Sequence, residues 1–308
     1  MENKLHISVS PHIRSAITTQ KIMLDVIIAL LPAAIAGCII FGLSALWVIL
    51  VCILSSVLCE YAFNAITRRT QTIFDLSAVV TGLLLALNLP ANTPLWQGVV
   101  GSFFAIIIVK CLFGGIGCNP VNPAITARVF MLLAFKNLAT PAFPIDSVSS
   151  ATPLVDLANG TKLPILDLFL GNVGGAIGET SALALLVGGI YLLARRVITW
   201  HTPIAVIGSV FVLSFLLDNF SFTSALAWIL SGGLFIGAFF MATDYVTSPP
   251  TAKGKIIFGV GIGLLTVLIR FYGIYPEGVS FAILTLNILN PYIEKASRRK
   301  LFGGKKYD

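Results

Sequence analysis

Two polar segments interrupt an otherwise apolar sequence, and both hold residue types that can bind a ligand. The first, called the glycine-rich turn, covers residues 114–124. Its glycines let backbone approach a ligand closely, and the side-chain amides of Asn119 and Asn122 offer hydrogen-bond donors and acceptors. The second, called the Thr-Asp segment, covers residues 240–250 and carries Asp244, three Thr and Ser hydroxyls and two prolines. Each segment could instead be a tight turn whose polar groups face water.

We predict that the two segments face each other across a buried polar pocket. Non-helical backbone at membrane depth persists only where it is buried in protein or lines a cavity. Arg128 follows within the next apolar segment, and a cation inside a membrane is a functional candidate by default. These residues indicate a binding site without identifying its ligand.

A third polar run, residues 146–154, is rich in hydroxyl groups but lacks the partner that hydrolysis needs. A Ser/His triad requires a histidine beside the nucleophile. The three histidines of the chain are far from this run in the sequence: His6, His12 and His201. Hydrolase chemistry is therefore disfavoured, and at this point a transporter and an electron-transfer subunit are both open.

The five cysteines do not indicate a metal or iron–sulfur site made by this chain alone. None belongs to a Cys-x-x-Cys pair, and all lie in or beside apolar segments, where cysteine behaves as a small hydrophobic residue. Cys118, in the glycine-rich turn, is the one cysteine whose position would suit a redox or metal role.

The elements that position these segments are predicted to be membrane helices. Hydrophobic residues make up 57% of the chain and charged residues only 11%, whereas soluble domains carry about 25% charged residues. Since roughly 20 apolar residues span a bilayer, we predict an all-α integral membrane protein with about ten transmembrane helices in a single polytopic domain. The predicted segments are 22–42, 45–66, 75–89, 95–113, 123–135, 177–194, 203–217, 225–241, 255–271 and 279–293.

The distribution of Lys and Arg orients these helices. With the N-terminus in the cytoplasm, 15 basic residues of loops, helix ends and tails fall inside. Only 3 fall outside, namely Lys136, Lys162 and Arg270. The positive-inside rule favours this arrangement, with both termini cytoplasmic and residues 136–176 external. It also accounts for the net charge of +7 without nucleic acid, because no basic stripe is interleaved with aromatic residues.

Weak internal similarity suggests a repeat. Residues 81–84 resemble residues 231–234, and residues 110–116 loosely resemble residues 270–274. Five helices per half is an odd number, so the halves, residues 1–135 and 177–308, would be inverted in the membrane. Inverted repeats with Gly- or Pro-broken helices are a known way to build a binding site near the midplane.

The chain resembles the D subunits of Rnf complexes, which are homologous to the B subunits of the sodium-pumping NADH:quinone reductases. The similarity covers nearly the whole length. The N-terminal residues Ser10-Pro11-His12, Thr18-Thr19 and Ile22-Met23, followed by Ala29-Leu30-Leu31-Pro32, are similar to the start of the family. The glycine-rich turn and the Thr-Asp segment resemble two further family motifs, although Tyr245 stands where the family usually has proline.

The resemblance implies a covalent flavin on the third polar run. Members of the family carry flavin mononucleotide (FMN) as a phosphoester of a threonine within a motif of the form Asp-x-x-Ser/Thr-Gly-Ala-Thr. The matching residues, called the attachment run, are Asp146, Ser149, Ser150, Ala151 and Thr152. Ser150 replaces the usual glycine but is also small, so Thr152 is the expected acceptor. The family further implies a noncovalent riboflavin in the helical bundle, and Asn119 and Asn122 are candidates for part of that site.

The function implied is a flavoprotein subunit of an ion-translocating ferredoxin:NAD oxidoreductase in a bacterial cytoplasmic membrane. The chain has no cysteine cluster and no dinucleotide-binding glycine fingerprint after a strand. NAD and iron–sulfur chemistry would therefore lie on partner subunits, one of which carries a second FMN, and a flavin transferase would attach the cofactor. The alternative is a secondary transporter or channel without flavin, since inverted repeats are also a transporter architecture.

Overall fold

The computed structural model describes residues 18–135, 138, 142–143, 153–159, 164–218, 220–273 and 277–298. Within these residues the chain is helical, apart from one isolated bridge between Ala142 and Gly175. The prediction of an all-α fold is therefore confirmed. The helices are α1 (Thr19–Phe41), α2 (Leu43–Ile66), α3 (Ser77–Leu87), α4 (Leu95–Phe103), α5 (Pro123–Ala134), α6 (Pro153–Ala158), α7 (Ile165–Leu170), α8 (Ala182–Ala194), α9 (His201–Leu217), α10 (Phe222–Leu230), α11 (Leu234–Ile236), α12 (Ala252–Tyr272) and α13 (Val279–Ser297).

All ten predicted segments contain helix, but their lengths differ. By length and composition α1, α2 and α12 are each long and apolar enough to cross a membrane, and α10 with α11 passes the same test as a bent pair. The remaining apolar helices are shorter, because Gly, Pro and Asn residues end them early. The segment predicted as an external polar loop, residues 136–176, differs from expectation in that it contains the two short helices α6 and α7.

Side-chain capping explains where several helices begin. A hydroxyl at the N-cap accepts a hydrogen bond from a backbone N–H that has no partner within the helix. Such caps precede α1, α8, α10 and α12, and the capping residues are Thr18, Ser181, Ser221 and Thr251. Helix α5 begins with Asn122 as its N-cap and Pro123 in its first turn, where proline is favoured. These local signals position the segments that flank the candidate site.

The packing partners of the two halves correspond to each other. Helix α2 packs against both α3 and α4, and in the second half α9 packs against both α10 and α12. The two halves meet where α1 lies against α8, and an ion pair between Asp25 and Arg195 at 3.2 Å joins them, with Tyr191 also donating to Asp25. This correspondence agrees with a repeat, while the inverted orientation in the membrane stays a prediction.

One helix is broken inside the bundle. Helices α10 and α11 are bent by 67° relative to each other at residues 231–233, called the helix break. Gly232 has a φ of 68°, in the left-handed region where residues with a side chain are strained. Beyond the break, α11 continues as a π-helical stretch over Gly237–Met241, and α4 likewise continues as one over Phe104–Cys111. Short helices broken by glycine were the sequence sign of a buried site.

Candidate functional site

The glycine-rich turn and the Thr-Asp segment line one cavity, called the inner cavity, of about 180 Å³. Asn119 and Asn122 come from the turn, and Thr243 and Asp244 come from the Thr-Asp segment. The predicted juxtaposition of the two segments is thus present. Most of the remaining wall is apolar and comes from α1, α3, α8 and the continuation of α11, so polar groups converge on a largely apolar space. That combination is typical of small-molecule sites.

Asn122 shapes the cavity wall rather than offering a free amide. Its Oδ1 accepts hydrogen bonds from the backbone N–H groups of Ala124 at 3.0 Å and Ile125 at 3.3 Å, which caps α5. Its Nδ2 donates to the carbonyl oxygen of Met241 at 3.4 Å, so the side chain ties α5 to the end of the π-helical stretch after α11. Replacing Asn122 would therefore disturb the site by moving both elements.

Asn119 is the amide that remains available to a ligand. Its Nδ2 donates to the carbonyl of Val121 at 3.1 Å, which holds the side chain in place. Its Oδ1 has no hydrogen-bond partner within the part of the chain that the structure describes. Asn119 therefore presents one oriented acceptor to the inner cavity.

A buried ion pair that we did not predict also lines this cavity. Lys110 donates from Nζ to Glu60 at 3.0 and 2.9 Å and to the hydroxyl of Ser77 at 2.6 Å. Thr72 adds a hydrogen bond to the same carboxylate at 2.6 Å. Lys110 is 3% exposed and Glu60 2%, and of these residues Lys110 and Ser77 lie in the cavity wall. The available signal was a lone lysine within an apolar segment, which is a functional candidate by default.

Both π-helical stretches supply residues to the inner cavity. Lys110 comes from the stretch that follows α4, and Phe239 and Phe240 come from the one that follows α11. A π-helical turn carries an extra residue and shifts the side chains that follow it, and such turns occur frequently at functional sites. The sequence contained no recognisable sign of this geometry.

Asp244 is the carboxylate that lines the inner cavity. Its Oδ1 accepts from the backbone N–H of Val246 at 3.3 Å, and its Oδ2 accepts from the hydroxyl of Thr247 at 3.2 Å. Burial raises the pKa of Asp244, and these two hydrogen bonds oppose the shift. The group is thus partly withdrawn from water, which disagrees with a simple solvated turn.

At the opposite end of the bundle, Arg270 supports the helix break. It donates to the carbonyl oxygens of Trp228 at 2.6 Å and Ser231 at 3.0 Å, which are C-terminal carbonyls of α10 without helical partners. Arg270 was counted among the external cations of the topology, but it lies in the last turn of α12 and is 5% exposed. Its charge compensates the helix terminus rather than marking a loop.

Three other charged residues surround the same break. A Cβ atom placed on Gly233 would lie 2.6 Å from Glu179, so glycine allows the carboxylate to approach the start of α11. Arg128, the predicted intramembrane cation, donates to Glu277 at 2.9 and 2.7 Å. The negative group thus faces the N-terminal end of one half-helix and Arg270 faces the C-terminal end of the other, as the helix dipoles favour.

The attachment run lies outside the described residues, so Asp146, Ser149, Ser150, Ala151 and Thr152 have no structural account. The structure resumes at Pro153, which begins α6. Leu154 is 3% exposed, and its side chain packs against Gly232 of the helix break. The chain immediately after Thr152 is therefore anchored on the break.

The sequence as a whole places the chain in a family of membrane proteins. The profile of the NQR2, RnfD, RnfE family matches residues 6–303, so the chain belongs to this family, as its motifs suggested. Together with the apolar helices, this makes the chain a multi-pass membrane protein.

Its relatives are named as D subunits of ion-translocating complexes. The chain is 46% identical to that of the Na(+)-translocating ferredoxin:NAD(+) oxidoreductase complex of Acetobacterium woodii, over 98% of this chain and 96% of the relative. It is 40% identical to that of the Proton-translocating ferredoxin:NAD(+) oxidoreductase complex of Clostridium ljungdahlii, over 99% and 98% of the two chains. The corresponding protein of the Ion-translocating oxidoreductase complex of Stutzerimonas stutzeri is 38% identical, over 94% and 93%.

Proposed function

We propose that this chain is the membrane flavoprotein subunit of an ion-translocating ferredoxin:NAD oxidoreductase complex. It would carry FMN covalently on Thr152 and bind riboflavin noncovalently in the inner cavity. The observation that carries the proposal is that the two segments resembling family motifs, distant in sequence, line one cavity. The 46% identity over nearly full length to a relative with this named activity supports the assignment to such a complex.

The residues of the inner cavity fit a flavin ring. An isoalloxazine ring is flat and largely apolar, with hydrogen-bonding atoms along one edge and around its reactive centre. The apolar wall would hold its faces, while Asn119 offers an acceptor and Lys110 a nearby cation. A cation near the ring favours negative charge on the flavin, so Lys110 would favour the reduced form. Bound flavin supplies the redox chemistry, and the protein positions and tunes it.

The attachment run supports covalent FMN through the chemistry of Thr152. Its hydroxyl is the one at the acceptor position of the motif, and the small side chains of Ser150 and Ala151 leave room for a flavin transferase. Pro153 follows directly and begins α6, so Thr152 is biased away from helical geometry. The burial of Leu154 on the helix break would hold the attachment site against the bundle.

The remaining assignments follow from the same proposal. The positive-inside distribution supports a bacterial cytoplasmic membrane with both termini cytoplasmic and the attachment run external. Ferredoxin and NAD would react on partner subunits that hold iron–sulfur clusters and a second FMN. Na⁺ or H⁺ movement is the activity of the whole complex.

The test of covalent attachment is Thr152→Val in the purified complex. We expect complete loss of flavin fluorescence from this subunit after denaturing electrophoresis, because the isosteric side chain lacks the acceptor oxygen. Intact mass spectrometry should show the wild-type chain heavier by one FMN and the variant without it. Thr285→Val, which alters an exposed threonine on α13, is the control that keeps the flavin.

Other outcomes would contradict the assignment. Peptide mapping that places the flavin on Ser147, Ser149 or Ser150 would move the acceptor. A wild-type chain with no covalent flavin at all would favour the rival, a transporter or channel without flavin.

A further inference from the structure

A second cavity, called the hydroxyl pocket, adjoins the inner cavity and has a volume of about 240 Å³. The two spaces have four lining residues in common, so only side chains of this shared wall separate them. Those residues are Val197, Ile198, Thr243 and Tyr245. The pocket lies between the connection that follows α8 and the start of α12, where Pro249 and Pro250 close its far side.

The two cavities differ in chemistry. The inner cavity is lined mainly by apolar side chains, whereas the hydroxyl pocket gathers Thr199, Thr202 and Ser248 around the ammonium group of Lys255. Lys255 donates to the hydroxyl of Thr199 at 3.0 Å, which holds both groups at the pocket wall. The joined space is therefore apolar at one end and rich in hydroxyls at the other.

Two of these hydroxyls have no hydrogen-bond partner in the described part of the chain. Thr202 is only 1% exposed, and neither its hydroxyl nor that of Ser248 bonds to protein there. Buried hydroxyls are normally hydrogen-bonded, so each of these is available to a group that is not part of the protein. This separates the pocket from an ordinary helix N-terminus.

We propose that the hydroxyl pocket receives the ribityl chain of the flavin whose ring lies in the inner cavity. The inference rests on the proposed function and deepens it, because it assigns the direction of the cofactor. A flavin has the same two-part character as the joined space, an apolar ring followed by a polyhydroxylated chain. Thr202, Ser248 and Lys255 would bond its hydroxyls.

Tyr245 controls the connection between the two spaces. Its side chain is 54% exposed and forms no hydrogen bond among the described residues, so rotation of the ring is not opposed by a fixed contact. Rotation away from the shared wall opens the passage that the chain occupies. The end of the flavin ring that bears the chain then faces Thr243 and Tyr245, and the other ring edges face Lys110 and Asn119.

The experiment compares riboflavin with lumiflavin, which has the same ring but a methyl group in place of the ribityl chain. The purified full-length chain, dialysed free of noncovalent flavin, is titrated with each compound by fluorescence quenching. For Thr202→Val and Ser248→Ala we expect the Kd of riboflavin to rise about three- to tenfold per lost hydrogen bond. The Kd of lumiflavin should not change in either variant, which also shows that the variants fold, and Thr285→Val should change neither Kd.

Each alternative result has a distinct meaning. Equal weakening of riboflavin and lumiflavin, or no change in riboflavin, would overturn the ribityl assignment while leaving a flavin in the inner cavity. Failure of the wild-type chain to bind either compound would instead refute the noncovalent flavin, and the ribityl assignment with it.

Discussion

Two clusters of buried charge lie at opposite ends of the bundle, and they use their cations differently. At one end Lys110 pairs with Glu60 and also lines the inner cavity. At the other end Arg270 donates to two backbone carbonyls at the helix break and lines neither cavity described above. Both cations are almost fully buried, so burial does not distinguish them.

The difference shows which observation separates a structural charge from a binding one. A charged residue within a membrane segment is costly and is therefore retained for a reason, but that reason can be the fold itself. Arg270 replaces the helical partners that two carbonyls lost. Lys110 has a carboxylate partner and also faces open space, which makes it the better candidate for ligand chemistry.

The largest effect is expected from Arg270→Met, which tests the structural role. Removing two charge-assisted hydrogen bonds and leaving the carbonyls of Trp228 and Ser231 unpaired should cost about 3–5 kcal/mol of folding stability. Thermal unfolding in detergent would show a large fall in Tm. The matched control is Arg298→Met, which removes an exposed ion pair with Glu294 and should leave Tm almost unchanged. Equal Tm values for the two variants would contradict the structural role.

A comparable loss is expected from Lys110→Met, but this one should be reversible. The substitution leaves Glu60 buried without its cation, at a cost of about 3–5 kcal/mol. Adding Glu60→Gln removes the uncompensated charge, so the double variant should recover most of the lost stability. Glu179→Gln should not rescue Arg270→Met, because the loss there is of backbone hydrogen bonds. Rescue at both ends would show that the two clusters are alike.

A smaller contrast separates the two asparagines of the glycine-rich turn. Asn122→Ala removes the N-cap of α5 and should lower stability by about 1 kcal/mol. Asn119→Ala should leave Tm nearly unchanged but reduce the amount of noncovalent flavin that copurifies, because Asn119 presents the free acceptor. Acid extraction followed by chromatography measures that amount. If only Asn122→Ala lowers flavin content, Asn119 does not contact the ligand.

The smallest effect concerns pH and Asp244. Because burial raises its pKa, the folded chain keeps this proton to higher pH than the unfolded chain does. The associated stability is fully present below the ordinary pKa of the group and is lost as pH rises through the raised value. Asp244→Asn should therefore lose less stability than the wild type between about pH 4 and pH 8. Parallel Tm profiles would contradict this.

Local signals made much of the fold predictable. Long apolar segments predicted the helices, and the Gly-Gly pair after Ser231 coincided with the helix break. Asn122 followed by Pro123 is itself an N-cap signature, although we interpreted Asn122 as a ligand contact. Its hydrogen bonds show that the same amide can build a site without facing the ligand.

Features that depend on tertiary register could not be predicted. Lys110 and Glu60 are 50 positions apart, and their pairing requires α2 and the stretch after α4 to pack in one specific rotation. Arg270 was assigned to the outside from its sequence position, while its orientation toward the break depends on how α12 meets α10. No one-dimensional pattern contains this information.

The continuation of α11 also sets a distance within the molecule. Leu234–Met241 begins at the helix break, where Leu154 packs, and ends at the inner cavity, where the carbonyl of Met241 meets Asn122. Eight residues at 1.5 Å each make a rod of about 12 Å. The rod is buried along its whole length, so it acts as a spacer of fixed length between the attachment segment and the cavity. An insertion or deletion within it would change the separation of the two ends and rotate one against the other.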